Sequence, residues 1–329
     1  MKRYIFLIIK IFVSIALLIF LFKKADMGNV WAIMQSMNFL ILAAVALLYA
    51  VSQIISTYRW SLFLPNAGIH VPFLKLVSLY YVGMFFNIFL PSAIGGDVVK
   101  SYYLYKFSGK GGNSLASVFL DRFTGFFALV TIAVVSLIFG YSYIKDTYAP
   151  TLIIALAAAF FLSSIILWNK SLHNWALVII SKIKLFGINE KIESLYNAVM
   201  LYKSKPFILL KAFGVSFVIQ FISISIFYLI SKGFGMTVSM GYFFLFVPIA
   251  VSISMIPISL SGLGLREGAF VYLFTKVGTT DAQALSISLA GFAVMVMLGL
   301  IGGVEYMRLG GVKEAVKSHP PQAESKVRS

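Results

Sequence analysis

Helix-breaking residues and two charges interrupt a long apolar run at Pro91-Ser92-Ala93-Ile94-Gly95-Gly96-Asp97-Val98-Val99-Lys100. A second apolar run is interrupted in a similar way at Pro257-Ile258-Ser259-Leu260-Ser261-Gly262-Leu263-Gly264-Leu265-Arg266-Glu267-Gly268. Within a bilayer, unwound backbone is tolerated only where protein or a water-filled cavity covers it. Each interruption therefore predicts a buried, broken or re-entrant helix, and the two together predict one shared site.

The composition indicates an all-α polytopic membrane protein. Of 329 residues, 60% are apolar and 12% are charged, whereas about a quarter of the residues are charged in soluble domains. Each span needs about 20 apolar residues, so the chain can hold about eight spans and no soluble catalytic domain. The apolar run Tyr4 to Phe22 resembles a signal peptide, but it lacks a clear cleavage site and we expect it to be the first span. Arg59-Trp60 is expected to anchor the end of the second span at the interface.

The basic excess favours lipid over nucleic acid as a partner. The formal net charge is +16, from 27 Lys and Arg against 11 Asp and Glu. Basic residues that flank apolar spans suit anionic headgroups, whereas a nucleic-acid-binding domain gathers them on one surface. The sequence has no cysteine, which excludes disulfides and thiolate sites. Its histidines are scattered and it has no phosphate-cradling loop, so we expect no metal site and no cofactor.

The order of elements repeats along the chain. Each half has three apolar spans, a Pro/Ser/Gly break, a short helix with charges near its start, and a fourth span. We expect two four-span membrane repeats, at 1–141 and 142–307, and a polar tail at 308–329. Segment 169–206 holds six Lys and is predicted either as a helix on the anionic membrane surface or as a solvated loop. Paired repeats with broken helices place a binding site at their interface, whether they are parallel or inverted.

Charged residues in or beside the apolar segments are the candidates for this site. A charge at the centre of a span costs roughly 2.5–3.5 kcal/mol, so each must pair or contact water. Neighbours on a helix do not face each other, so partners are expected on other elements: Arg266 or Arg122 with Asp97 or Asp121, and Glu267 with Lys100 or Arg122. The candidate substrate-binding residues are Asp97, Lys100, Asp121, Arg122, Arg266 and Glu267, and the helix breaks are at Pro91, Gly95, Gly96, Pro257, Gly262 and Gly264. The alternative is purely structural, with these residues acting as caps, kinks and buried pairs.

Three motifs together resemble those of the lysylphosphatidylglycerol synthetase transmembrane, or flippase-like, family. They are Leu90-Pro91-Ser92-x-x-Gly95-Gly96-Asp97-x-x-Lys100, then Asp121-Arg122, and then Gly262-x-Gly264-x-Arg266-Glu267-Gly268. The resemblance covers nearly the whole chain. It implies a prokaryotic inner-membrane protein that moves, or helps to move, lipids between leaflets. The namesake proteins also carry an aminoacyl-transferase domain, which these residues do not include, so we do not expect aminoacylation of lipid.

We therefore expect a non-enzymatic lipid translocator of the cell inner membrane. Its charged cavity would take the headgroup of a phospholipid or polyprenyl-linked lipid, with the basic residues attracting phosphate and the acidic residues holding them in place. Two alternatives stay open. One is a membrane-embedded transferase that acts on lipid-linked sugar with Asp97 or Glu267 as base. The other is an accessory subunit of a partner transferase.

Overall fold

The computed structural model describes residues 2–89, 95–145, 148–169, 171–172, 196–197, 199–255, 259 and 261–309, and all regular structure in these ranges is helical. In chain order the helices are α1 (Lys2–Ala25), α2 (Met27–Gln35), α3 (Phe39–Ser61), α4 (Phe73–Phe89), α5 (Gly95–Ser108), α6 (Gly111–Ile144), α7 (Ala149–Trp168), α8 (Pro206–Gly233), α9 (Met240–Ser254), α10 (Leu265–Phe274) and α11 (Asp281–Arg308). The predicted surface segment 169–206 lies mostly outside the described residues, as does most of the tail.

Several helices have the length and composition of membrane spans. Four long apolar stretches qualify, at Phe39–Ala67, Gly111–Ile144, Pro206–Gly233 and Asp281–Arg308. In addition, shorter apolar helices lie at Phe73–Ile88, Pro150–Ile165 and Met240–Ser254, and α1 has 24 residues. The protein is therefore an integral, multi-pass membrane protein. Length and composition support four spans by themselves, and the full set of eight stays a prediction.

The helix boundaries differ from the sequence-based expectation in two places. Residues 108–113 include three glycines, which favours a loop, but α6 already begins at Gly111 and runs for 34 residues. Its first turn is held in place because the Asn113 side-chain amide donates to the Ala67 carbonyl at 2.9 Å. Helix α2 is absent from the expected elements; it begins where the Asp26 carboxylate accepts the Gly28 N–H at 3.1 Å, as an N-cap does.

Helices α3 and α8 pack side by side in opposite directions. At one end, the Asn38 N–H donates to the Gly233 carbonyl at 3.0 Å. At the other end, Arg59 Nη1 donates to Ser216 Oγ at 3.0 Å. Because Asn38 precedes α3 and Gly233 ends α8, the start of one helix lies beside the end of the other. This antiparallel pair brings the first and second parts of the chain together.

Short helix α10 is held by a buried aromatic cluster against α9. The side chains of Phe243, Phe246, Phe270 and Phe274 are wholly inaccessible. The ring centroids of Phe243 and Phe274 are 4.8 Å apart, which is within the range of favourable aromatic packing. This packing gives α10 a fixed position, and its first turn carries two of the predicted site residues.

Candidate functional site

Five charged side chains from three helices form one continuous group, which we call the charge network. It comprises Arg59 of α3, Asp97 and Lys100 of α5, and Asp121 and Arg122 of α6. Three cations and two carboxylates give it a formal charge of +1. The other ion pairs among the described residues do not touch it. No group of three or more acidic or histidine side chains in the described ranges is placed to hold a metal ion.

Asp121 is the buried centre of the charge network. Its side chain is wholly inaccessible, and its two oxygens accept from Arg59 Nε at 2.8 Å and from Lys100 Nζ at 3.3 Å. Arg59 is itself fixed by its second hydrogen bond, to Ser216 on α8. A buried carboxylate requires nearby cations and hydrogen-bond donors. Arg59 and Lys100 meet that requirement, so this part of the network is closed to other ligands.

Lys100 is enclosed by aromatic rings as well as by carboxylates. Its Nζ lies 4.6 Å from the ring centroid of Trp60 and 4.4 Å from that of Tyr80. At these distances the ring faces attract an ammonium group. The same nitrogen is 3.8 Å from Asp97 Oδ1, farther than from Asp121. Lys100 therefore lies between two carboxylates and is bound more closely to Asp121.

Arg122 is the open member of the charge network. Its Nε donates to Asp97 Oδ2 at 2.7 Å, one of the pairings that the sequence suggests. Its side chain is 41% exposed, whereas that of Lys100 is 3% exposed. Within the part of the chain that the structure describes, no group accepts a hydrogen bond from its two terminal nitrogens. These N–H groups can bind an anion, because a guanidinium presents them in a fork that matches phosphate or carboxylate.

A second cluster joins Arg266 and Glu267 of α10 to Ser288 of α11. Arg266 Nη2 donates to Glu267 Oε1 at 2.6 Å, and Ser288 Oγ donates to the same oxygen at 3.2 Å. The other Glu267 oxygen accepts the Gly264 N–H at 2.7 Å, as a cap of α10.

This arrangement corrects the expectation that Arg266 and Glu267 find their ionic partners on other elements. Glu267 pairs with its neighbour and not with Lys100 or Arg122. The directions of adjacent Cβ atoms do differ on a helix, but the arginine side chain is long enough for its Nε and Nη2 both to reach the capping carboxylate, at 3.1 and 2.6 Å. The guanidinium carbon of Arg266 also lies 5.2 Å from the Phe292 ring centroid.

Asn87, near the end of α4, links the two helix breaks. Its Oδ1 accepts the Gly96 N–H at 2.8 Å, and its backbone carbonyl accepts from Ser261 Oγ at 3.1 Å. Gly96 is so close to α4 that an added Cβ would lie 1.8 Å from the Gly83 carbonyl oxygen. The two break segments are therefore adjacent, as the hypothesis of a shared site requires.

Glycines occupy the described parts of both breaks. Gly95 begins α5, and Gly262 and Gly264 have φ angles of +79° and +85°, which other residues rarely adopt. The predicted breaks at Pro91 and Pro257 lie outside the described residues. The charges that follow each break, Asp97 and Arg266 among them, therefore sit in the first turns of α5 and α10.

The amino-acid sequence matches a known protein family over most of its length. Residues 7–303 match the family described as the lysylphosphatidylglycerol synthase TM region. The chain belongs to that family. This confirms the resemblance seen in the motifs around Asp97, Asp121 and Arg266.

Archaeal relatives match along most of the chain. It is 26% identical to a UPF0104 membrane protein from Pyrococcus horikoshii, over 92% of this chain and 96% of that protein. Two UPF0104 membrane proteins from Methanothermobacter thermautotrophicus are 25% and 26% identical, over 90% and 69% of this chain and 92% and 72% of their own lengths. No solved structure gives a significant match.

The sequence alone did not identify Arg59 and Ser216 as parts of the first cluster, or Ser288 as part of the second. Arg59 stands beside Trp60 at the end of a span, a pattern typical of an interfacial anchor, but its side chain is only 7% exposed. A buried aspartate in a span requires a cation, which is the one signal that could have pointed to Arg59. The two serines carry no such signal, because serine is common in membrane helices as a packing residue.

Proposed function

We propose that the protein moves a phospholipid or a lipid-linked precursor between the leaflets of the cell inner membrane. The headgroup would bind at the charge network while the acyl chains stay in the bilayer. The observation that carries this proposal is Arg122, which lies in a membrane-spanning helix, is 41% exposed and presents unused N–H groups beside a helix break. A charge within a span is costly, so an ionisable residue there is by default a candidate for a transport site.

One further observation supports a site shared by both breaks. Asn87 bonds to residues of both break segments. A headgroup that enters between the two clusters would therefore meet two guanidinium groups. Each is held by a carboxylate that fixes its orientation, Asp97 for the first and Glu267 for the second.

Family membership supports a role connected with lipid. The description of the family refers to a synthase of lysylphosphatidylglycerol, and the named archaeal relatives are described only as membrane proteins. The product of the namesake synthase is a property of that synthase and is not assigned to this chain. The step to lipid movement by this chain rests on the charge network.

We also propose that the chain contains two inverted repeats, α3 to α6 and α8 to α11. Both parts run in the order of a long helix, a shorter apolar helix, a break, a short helix and a long helix. Both carry a left-handed glycine before the second helix, at Gly68 and Gly235. The corresponding helices α3 and α8 are antiparallel, which favours a twofold axis in the membrane plane. Transporters built in this way place their substrate site at the repeat interface, beside discontinuous helices.

Reconstitution into vesicles tests the proposed movement of lipid. Purified protein would be inserted into vesicles with fluorescent phosphatidylglycerol, phosphatidylethanolamine or a polyprenyl phosphate, and dithionite quenching would measure leaflet exchange. We expect the protein to accelerate exchange of at least one lipid and Arg122→Gln to abolish the acceleration. Arg308→Gln is the matched control, because that arginine is 76% exposed and pairs with Glu305 at 2.9 Å, outside the charge network.

Two results would contradict the proposal. One is exchange that is equally fast with Arg122→Gln, since the headgroup would then not use the open guanidinium. The other is a chemically altered lipid without exchange, which would favour the transferase alternative. Chromatography of the lipids recovered from the same vesicles separates these outcomes.

A further inference from the structure

We infer that a singly charged phosphodiester completes the charge network at Arg122, and that Asp97 competes with this group for the same guanidinium. The inference rests on the proposed function and names the class of headgroup that the site accepts. It also assigns Asp97 the part of an internal counter-anion that the headgroup must displace.

The charge balance of the network selects the class of ligand. Arg59, Lys100 and Arg122 face only two carboxylates, Asp97 and Asp121, and no other acidic side chain of the described residues pairs with them. An uncompensated charge is unfavourable in a low-dielectric environment. One negative charge neutralises the network. A phosphodiester carries one negative charge, whereas a phosphomonoester carries about −1.5 to −2 at neutral pH.

The unused hydrogen-bond donors place that anion at Arg122. Arg59 is 7% exposed and bonds to both Asp121 and Ser216. Lys100 is 3% exposed and lies between aromatic rings and carboxylates. Only Arg122, among the described members of the network, combines exposure with terminal nitrogens that bond to nothing else. Its fork of N–H groups suits two oxygens of one phosphate.

Asp97 is placed to exchange between two cations. Its Oδ2 accepts from Arg122 Nε at 2.7 Å, while its Oδ1 is 3.8 Å from Lys100 Nζ. A phosphate on Arg122 would repel this carboxylate, and rotation of the side chain toward Lys100 would keep its charge compensated. Asp97 lies in the first turn of α5, directly after the break. Return of the Asp97 carboxylate to Arg122 would weaken the binding of the phosphate. A transporter needs such weakening in order to release its substrate.

Binding of short-chain lipids to the purified full chain tests the inference. Isothermal titration calorimetry in detergent would use dihexanoylphosphatidylglycerol, a phosphodiester, and dihexanoylphosphatidic acid, a phosphomonoester. Asp97→Asn removes the competing carboxylate, so we expect the phosphodiester to bind about tenfold tighter or more, a gain of about 1.4 kcal/mol. Because the network then carries one more positive charge, the preference should also move toward the phosphomonoester.

Deacylated glycerophosphoglycerol should bind to the same variants more weakly if the natural ligand is a lipid headgroup. Equal binding would identify a soluble phosphodiester as the ligand and overturn the assignment to lipid.

Two further variants complete the test. Asp281→Asn is the matched control, since it removes a carboxylate that pairs with a lysine, Lys24, at 3.1 Å and lies away from the network; its binding should equal that of the wild type. Asp97→Glu restores a carboxylate and should return the affinity toward the wild-type value.

A folded Asp97→Asn variant that binds the phosphodiester no more tightly than the wild type does overturns the proposed competition. Wild-type protein that prefers the phosphomonoester overturns the assigned class. Absence of leaflet exchange by the wild type would contradict the proposed function instead, and it is measured separately.

Discussion

Burial gives the two arginines of the charge network different roles. Arg59 is 7% exposed and compensates the wholly inaccessible Asp121. Arg122 is 41% exposed, and its partner Asp97 has Lys100 at 3.8 Å as a second cation. Loss of the first arginine removes the closest cation from a wholly inaccessible carboxylate, whereas the carboxylate left by loss of the second is 10% exposed and keeps Lys100 nearby. We therefore expect stability to depend on Arg59 and ligand binding to depend on Arg122.

Substitution of each arginine by glutamine tests this division. Arg59→Gln should lower the free energy of unfolding by roughly 3–5 kcal/mol, the typical effect of breaking a buried ion pair. Arg122→Gln should change it much less while removing lipid exchange. Thermal unfolding in detergent, followed by circular dichroism, gives the comparison. Arg308→Gln breaks an exposed pair and should cost about 0–1 kcal/mol. Equal melting temperatures for Arg59→Gln and Arg308→Gln would contradict the structural role of Arg59.

Residue-level prediction from the sequence succeeds where a charge is conspicuous. Asp97, Lys100, Asp121 and Arg122 stand out in apolar surroundings, and the structure brings all four together. The pairing of Arg266 with Glu267 could not be predicted in the same way. It depends on the path of a long side chain with several rotatable bonds, whereas sequence spacing reports only the direction in which each side chain leaves the helix.

At the scale of elements, the contact between α4 and α5 depends on a glycine. An added Cβ at Gly96 would lie 1.8 Å from the Gly83 carbonyl oxygen and 2.7 Å from the Asn87 side chain. Backbone atoms of a helix cannot move away as a flexible side chain can. A larger residue at position 96 must therefore push α5 away from α4 and weaken the hydrogen bond that the backbone N–H of this residue donates to Asn87 Oδ1.

Paired alanine substitutions measure this effect. We expect Gly96→Ala to destabilise the protein by about 1–3 kcal/mol or more, as overpacking does. Gly214→Ala is the matched control, because an added Cβ there meets nothing within 4 Å and alanine is favoured over glycine in a helix by about 1 kcal/mol. Melting temperatures should fall for the first variant and stay level or rise for the second. A Gly96→Ala protein as stable as its control would show that α5 does not rely on this close contact.

Element-level prediction depends on how strongly a segment departs from its neighbours in hydropathy. Long apolar runs such as those of α3 and α8 are evident from composition. The start of α6 at Gly111 is not, because two glycines and an asparagine favour a loop and the helix is fixed there by the tertiary bond from Asn113 to Ala67. Helix α2 has nine residues and is too short for its periodicity to be distinctive.

At the scale of the whole molecule, the sequence predicts adjacent breaks but not the relation between the two halves. The expected charge pairs between the segments do not form, since Glu267 pairs with Arg266, and Asn87 connects the segments instead. The structure shows only that α3 and α8 are antiparallel, through contacts such as those of Arg59 with Ser216 and Asn38 with Gly233. These residues carry no sequence signal for orientation, since the same helices would be equally apolar in a parallel arrangement.

The proposed twofold axis relates two helix seams that differ in this structure. The seam between α4 and α11 is tightly sealed, and an added Cβ at Gly302 would lie 1.9 Å from the Tyr81 carbonyl oxygen. The corresponding helices α6 and α9 are also in contact, because Ser136 Oγ donates to the Phe244 carbonyl at 2.7 Å, but an open surface groove of about 490 Å³ lies beside that contact, lined by residues that include Phe139 and Leu245. Inverted repeats alternate by exchanging such conformations around a fixed site. We therefore expect the seam between α4 and α11 to open during lipid movement.

Cysteine cross-linking tests whether this seam opens, and the chain is suited to it because it has no cysteine of its own. Phe86→Cys combined with Tyr306→Cys places thiols across the sealed seam, where the two ring centroids are 5.0 Å apart. A cleavable bifunctional reagent should stop leaflet exchange, and reduction should restore it, because the locked seam cannot part. Lys24→Cys with Asp281→Cys joins α1 to α11 away from the seam, at a contact of 3.1 Å, and should leave exchange intact. Full activity with the sealed seam locked would mean that the lipid takes a path that does not require α4 and α11 to separate.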